Sequence, residues 1–233
     1  MYRIKFCGLV LTLALVFAAR VPAGELNQLT SEEKAAGWRL LFDGRSTAGW
    51  RSFKKSSFPA RGWVVVDGCL KKVAKEPGGD IVTVDEFTDF DLEWEWKILS
   101  RGNNGLKYFI TEARDSAVGH EYQMIDDALV KDPKGSTASF YEVLPPSPDK
   151  PLNPPGQWNH SRILVQGNHV EHWLNGAKVV EFELGSETVL AGVAKSKFKN
   201  VPGFGTKIKG RILLTDHQDE CWFRNIKIRE LCP

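Results

Sequence analysis

After its first two dozen residues this chain has no apolar run long enough to cross a bilayer, which excludes a lasting helical membrane span. It has no CxxC pair and no HxH or HExxH spacing, so no zinc knuckle, redox motif or metal site can be read from local sequence. It has no basic stripe either. Residues 1–23 carry Arg3, Lys5 and Arg20 with no acid, and without them 28 basic residues stand against 29 acidic ones. A near-neutral chain of mixed sign argues against a nucleic-acid or anionic-membrane partner, which would call for a basic stripe. Internal repeats, low-complexity tracts and any long amphipathic helix are absent as well.

Cysteine is scarce. Cys7 lies at the start of an apolar run from about Phe6 to Ala19, which is followed by Val21-Pro22-Ala23. A basic start, a short apolar stretch and small residues at its end are expected of a secretory leader over residues 1–23. The expected mature protein is then residues 24–233, a single domain in a periplasmic or extracellular space. Cys69, Cys221 and Cys232 remain, an odd number where disulfides are permitted. One bridge and a set of unbridged core thiols are both compatible with that count.

What is present is strand-length pattern. Thr30-Ser-Glu-Glu33 is a capping box for one short helix that Gly37 can end. From there eleven short segments rich in Val, Ile, Phe and Trp are bounded by Gly, Pro, Asn or Asp. They are 63–66, 68–73, 80–84, 90–99, 106–111, 121–125, 160–166, 169–174, 178–184, 210–216 and 221–229. Eleven strands without a long helix predict an all-β, two-sheet antiparallel sandwich. Val170 to Lys178 reads as strand, Asn-Gly turn, strand.

The segment Asn103–Asp127 carries the densest chemistry. Strand side chains alternate with period two, so Lys107, Glu121 and Gln123 are expected on one exposed face while Tyr108, Tyr122 and Met124 point the other way. Asp126 and Asp127 close the second strand. Strand 91–98 alternates Asp91, Glu93, Glu95 and Lys97 with Leu92, Trp94, Trp96 and Ile98. A solvated, charge-paired outer face accounts for that pattern by itself. If this strand neighbours the other two, their polar faces form one carboxylate-rich surface. His172 shares a face with Val170 and Leu174, which suits a hydrogen-bonded core histidine as well as a catalyst. Eight tryptophans are many for this length. Trp158, at the edge of a Pro-Gly loop, is the one expected to offer an exposed indole to a sugar ring.

These pieces occur in a recognisable order: LTSEEKAAGWRLLFDG, GWVVVDGCL, GGDIVT, FTDFDLEWEWKI, GNNGLKYF, GHEYQMIDD, GQWNHSRILVQGNHVEHWLNGAKVVEF and FRNIKIREL. The series, from about Leu29 to Leu231, resembles the bacterial 3-keto-disaccharide hydrolase family. The resemblance implies a jelly-roll sandwich of the concanavalin A-like lectin and glucanase type, secreted and acting on glycosides already oxidised at C3. It places the family's polar positions on Glu95, Asn104, Lys107, Glu121, Gln123, Asp126, Asp127, His172 and Asn175. Asn104 stands where relatives often have Ser. The E-x-D-x-E signature of ordinary jelly-roll glucanases is absent, because Lys97 follows Glu93 and Glu95.

A C3 ketone acidifies the C2 hydrogen. A base can remove it, the enolate can expel the C1 substituent, and water can then add. That route needs a base, a cationic or hydrogen-bonding group at the enolate oxygen, and an acid for the leaving oxygen. Lys107, Glu121 and His172 are the expected catalytic residues. Glu95, Asn104, Gln123, Asp126, Asp127 and Trp158 are the expected contacts to a carbohydrate substrate. A divalent ion on Glu and His ligands could replace the lysine as electrophile, with no cofactor otherwise called for. The competing expectations are a non-catalytic carbohydrate-binding module, which would keep the sandwich without turnover, and a structural surface domain, in which Glu95, Lys107 and Glu121 would be dispersed.

Overall fold

The structure, a computed structural model, describes residues 25–232. The expected leader at 1–23 lies outside the described residues. Among those described, thirteen strands pair antiparallel into two sheets. The eight-stranded sheet runs in the order β11 (Ala177–Glu183), β10 (His169–Leu174), β9 (Asn159–Gln166), β6 (Phe90–Ile98), β13 (Cys221–Glu230), β4 (Cys69–Lys72) and β3 (Trp63–Val66), with β1 (Arg39–Leu40) paired to β13. The five-stranded sheet runs β2 (Trp50–Ser52), β5 (Ile81–Thr83), β12 (Arg211–Leu214), β7 (Asn103–Ile110) and β8 (His120–Ile125). This is the jelly-roll sandwich expected from the strand pattern, and all eleven expected segments are strands.

The alternation decides what is buried. Phe90, Leu92, Trp94, Trp96 and Ile98 of β6 face Leu106, Tyr108, Tyr122 and Met124 of the smaller sheet in one core. Each buried aromatic removes about 150–250 Å² from water, worth on the order of 4–6 kcal/mol before conformational entropy is subtracted. Trp94 meets Tyr122 edge to face at 4.9 Å. Polar bridges also cross between the sheets. Trp96 Nε1 donates to Ser161 Oγ (2.8 Å), Ser161 Oγ to the Tyr122 hydroxyl (2.8 Å), and Tyr122 to the Trp173 carbonyl (3.1 Å). Cys69 and Cys221 are separate buried thiols and Cys232 is exposed and free.

Among the described residues two α-helices complete the fold. α1 (Ser31–Ala35) has both capping-box hydrogen bonds between Thr30 and Glu33, and Gly37, at φ 84°, follows its end. α2 (Glu187–Lys195) was not expected. Its Ser186 cap and the Val189/Val193 pair are helical signals, but only Val189, Gly192 and Val193 are buried, so the apolar stripe is too narrow to read against its valines.

Candidate active site

β7 and β8 are joined residue to residue. Lys107 lies opposite Glu121, Gly105 opposite Gln123, and Asn103 opposite Ile125. Leu106, Tyr108, Tyr122 and Met124 belong to the core, so the pleat sends Lys107, Glu121 and Gln123 to the outer face. A bulge against β12 shifts the phase after Lys107. Phe109 sits at φ 59° and packs inward beside Tyr108, and Ile110 moves outward to join Val82 and Leu213. Lys107 thus stands between a small apolar patch and a carboxylate.

Its ammonium is 4.0 Å from Glu121 Oε2, the outer limit of an ion pair, and 3.4 Å from the Ala117 carbonyl. The Glu121 carboxylate lies flat over Gly105: a Cβ there would fall onto Oε1 and come within 3.0 Å of Cδ. Glycine is what leaves room for the acid.

The chain after β8 folds back along that strand. Ala138 N donates to the Gln123 carbonyl (2.8 Å) and Tyr141 N to the Glu121 carbonyl (3.1 Å). This cover leaves Glu121 and Gln123 only 5% and 3% exposed. An open cleft of about 220 Å³ adjoins Gln123, lined among others by Asn103, Ile125, Tyr141 and Glu142, with Lys107 and Glu121 outside its lining. Asn103 Oδ1 is shielded there without a hydrogen-bond partner. Burial pushes the Glu121 carboxyl above its ordinary pKa; Lys107 and Lys197 oppose that shift, and Asp80 and Glu142 add to it. His217 is held below its ordinary value, first by desolvation and then by Lys107. Asp80, Glu142, Lys197 and His217 are therefore site neighbours that the sequence did not single out. The acidic stretch Thr215-Asp216-His217-Gln218-Asp219 was a visible signal, but its pairing with β7 was not.

The other expected residues lie elsewhere. Glu95 is on β6, which sits between β9 and β13 in the larger sheet and does not neighbour β7 or β8. There it accepts from Arg224 Nε (2.7 Å) and Asn225 Nδ2 (2.9 Å). The assumption of three adjacent polar strands is thereby corrected. His172 is fully buried between the sheets. Its Nδ1 donates to the Ala138 carbonyl (3.0 Å), which leaves Nε2 to accept from the Tyr108 hydroxyl (3.1 Å), and burial lowers its pKa to about 4. It is a structural histidine with no place on the outer face. Asn104 points inward opposite Met124, with Nδ2 on the Thr215 carbonyl (3.0 Å) and Oδ1 accepting from Gly105 N (2.8 Å). Asp126 accepts from Arg101 N (2.8 Å) and Ala128 N (3.1 Å), fixing a turn. Asp127 accepts from Thr137 N (2.8 Å) and pairs with Lys150 (2.7 Å). Trp158 has its ring face covered by Arg224 at 3.8 Å, so it is no free platform.

Among the described residues one group has ligand spacing for a cation: His169, Glu171 and Glu181 on the β10–β11 hairpin. Lys178 already bridges Glu171 (3.1 Å) and Glu181 (2.7 Å), and the group is on the other sheet from Lys107.

Comparison with known proteins covers nearly all of this architecture. The sequence model of the family described as the 3-keto-alpha-glucoside-1,2-lyase-like domain matches residues 37–229. The chain is 30% identical over 254 residues to a 3-keto-disaccharide hydrolase of Bacteroides thetaiotaomicron, spanning 94% of this chain and 87% of that one. A crystal structure from Parabacteroides distasonis ATCC 8503, provisionally named a glycosyl hydrolase, superposes with a TM-score of 0.81 at 35% identity, covering 89% of this chain and 100% of that one. A second protein from that organism, provisionally named in the same way, gives 0.67 at 28% identity over 83% and 99%. The matched span begins at Gly37 just after α1 and ends within β13, so it takes in every strand described above, and the chain belongs to the 3-keto-alpha-glucoside-1,2-lyase-like domain family.

Proposed function

We propose that this protein cleaves glycosides carrying a ketone at C3, by removing the C2 proton, eliminating the C1 substituent and hydrating the resulting enone. That it is a glycoside-cleaving enzyme of hydrolase type follows from its family and from the relative named for that activity. The observation that supports the finer chemistry is the Lys107–Glu121 pair on the outer face of β7 and β8, two residues along β8 from Gln123, which lines a cleft of about 220 Å³. Lys107 supplies positive charge for the oxygen at C3 as the enolate forms. Glu121, raised by burial, holds a proton to higher pH than an ordinary carboxyl, which fits it to protonate the leaving oxygen and later to accept a proton from the attacking water. Gln123 and Asn103 offer amides to ring hydroxyls along the cleft. Export to the periplasm or cell exterior is part of this reading, supported by the leader-like first 23 residues.

The test is to incubate the purified protein with 3-keto-glucosides and with the parent glucosides in D2O, and to follow products by mass spectrometry. The expected outcome is cleavage of the keto compounds alone, with one deuterium carried at C2. Cleavage of the parent glucosides at a comparable rate would overturn the elimination route. Binding without turnover of either would favour a carbohydrate-binding module.

A further inference from the structure

Past its last strand residue β12 stays attached to β7. Thr215 N and Oγ1 both donate to the Gly105 carbonyl (3.1 and 2.7 Å), at the residue over which Glu121 lies. Four positions on, Asp219 Oδ2 accepts from Asn103 N (3.0 Å). Between these two anchors Asp216 turns toward buried Lys72, and His217, the next residue, is exposed. The charges that act on His217 are those of Lys107 from β7, Asp80 ahead of β5, Asp219 from its own loop and Lys197 from beyond α2.

What fixes the loop is a lysine from the other sheet. Lys72 of β4 is fully buried, and its ammonium donates to Asp216 Oδ1 (3.0 Å), the Val73 carbonyl (2.7 Å) and the Glu76 carbonyl (2.7 Å), satisfying all three donors. Asp216 also accepts from Gly78 N (3.1 Å), Gly79 N (2.8 Å) and Gln218 N (2.9 Å), and its own N donates to Asp80 Oδ1 (2.8 Å). A buried ion pair adds little stability over an apolar pair of the same volume, so this one points to a role in fixing geometry.

We propose that His217 is the base that takes the C2 proton, and that the Lys72–Asp216 pair is the positioning device that holds its loop against β7. The proposal rests on the 3-keto-glycoside reading, which leaves the base unassigned. Desolvation and then the Lys107 charge lower its pKa, which favours the neutral imidazole that a base requires. The neutral nitrogen takes the C2 proton, and the C–H electron pair becomes the enolate facing Lys107. The enolate reforms the ketone as the C1–O bond breaks, and the leaving oxygen takes the Glu121 proton. Water then adds at C1 and gives a proton to the Glu121 carboxylate, while the imidazolium returns its proton to C2. Both groups end as they began.

The experiment measures cleavage and C2 hydrogen–deuterium exchange of a 3-keto-glucoside in D2O for wild type, His217→Asn and Lys72→Met, with the pH profile of kcat/KM. For His217→Asn the expected result is an unchanged melting curve, a KM within a few-fold, loss of both exchange and cleavage by roughly 10²–10⁴, and disappearance of the acid limb of the profile. Lys72→Met should lower kcat while keeping the acid limb, because the imidazole is still present but displaced. Where Lys72→Met melts below the assay temperature, Asp216→Asn, which keeps the acceptor oxygen and removes the charge, carries the same comparison. Wild-type exchange and cleavage in His217→Asn would move the base elsewhere and leave the cleavage reading intact. Wild-type kcat in a folded Lys72→Met would overturn the positioning role. A wild-type protein that neither exchanges nor cleaves 3-keto-glucosides would remove the cleavage reading, and the base with it.

Discussion

At the scale of single residues, position relative to the core decides chemistry more than residue type does. Lys107 and Glu121 share an outer face with a cleft, whereas His172, the most catalyst-like side chain by type, spends both ring nitrogens on Ala138 and Tyr108. Its neighbours in the strand, Val170 and Leu174, already marked that face as the buried one, so the placement was legible even though the hydrogen bonds were not. Glu121→Gln keeps the shape and hydrogen-bonding reach of the side chain and removes the titrating proton. It is expected to lower kcat by roughly 10²–10⁴ with the fold kept, the range for loss of a positioned acid or base. Lys107→Met preserves the stem packed near Leu213 and removes only the charge, so a loss of kcat with little change in melting temperature is expected. Steady-state kinetics on a 3-keto-glucoside checks both, and wild-type kcat in either variant would take that residue out of the mechanism.

At the scale of elements, period-two alternation told which side of a strand each residue faces but not which sheet the strand joins. Strand 90–98 and strands 103–110 and 120–125 each have a polar face, yet β6 pairs with β9 and β13 while β7 pairs with β8 and β12. Long-range pairing depends on how the whole chain closes its core, and a local pattern carries no term for it. The bulge at Phe109 was equally hidden. It requires a left-handed φ at a bulky residue, and it is what turns Ile110 out beside Lys107. Gly105 is the position where β7 is most constrained, since any Cβ collides with the Glu121 carboxylate held beneath the 138–141 cover. Gly105→Ala should displace Glu121 by about an ångström and cost on the order of 10² in kcat/KM, the scale of such a misplacement, while circular dichroism stays that of the sandwich. Undiminished kcat/KM in this variant would show that Glu121 need not lie over Gly105 to act.

At the scale of the whole molecule the two outer faces differ in kind, and that difference explains why the carboxylates of the larger sheet are not part of the site. There Asp91 binds Arg162 (2.6 Å) and Arg229 (2.9 Å), Glu93 binds Lys227 (3.0 Å), and Glu95 binds Arg224 (2.7 Å). Trp38, Trp158, Trp173 and Trp222 lie under cations of the same face. Glu95→Gln is therefore expected to leave turnover unchanged and to cost at most about 1 kcal/mol of stability, the range for a partly exposed pair; a large loss of kcat would return Glu95 to the site. The core makes the opposite demand, because it holds two neutral histidines. Burial lowers His120 to about 3 and His172 to about 4, from an ordinary 6.5. A depressed folded-state pKa means that the unfolded chain binds the proton first as the pH falls. The stability these groups contribute is full above pH 6.5 and is lost progressively down to about 4 for His172 and about 3 for His120, at roughly 1.4 kcal/mol per pH unit for each. Glu93 is also depressed, to about 2, where desolvation is outweighed by its bonds to His160 and Lys227; as a carboxylate it starts to lose stability only below about 4.5. Glu121, raised, works in the other direction and offsets one proton at most. Between pH 6.5 and 4.5 the buried histidines therefore set the sign, and the melting temperature should fall across that window. His172→Gln keeps a donor for Ala138 and an acceptor for Tyr108 without a titrating ring, so its melting temperature should fall less steeply over the same range. Thermal melts at half-unit pH intervals decide it, and a wild-type melting temperature that is flat or rises from pH 6.5 to 4.5 would mean that the two imidazoles reach solvent and are not sealed between the sheets.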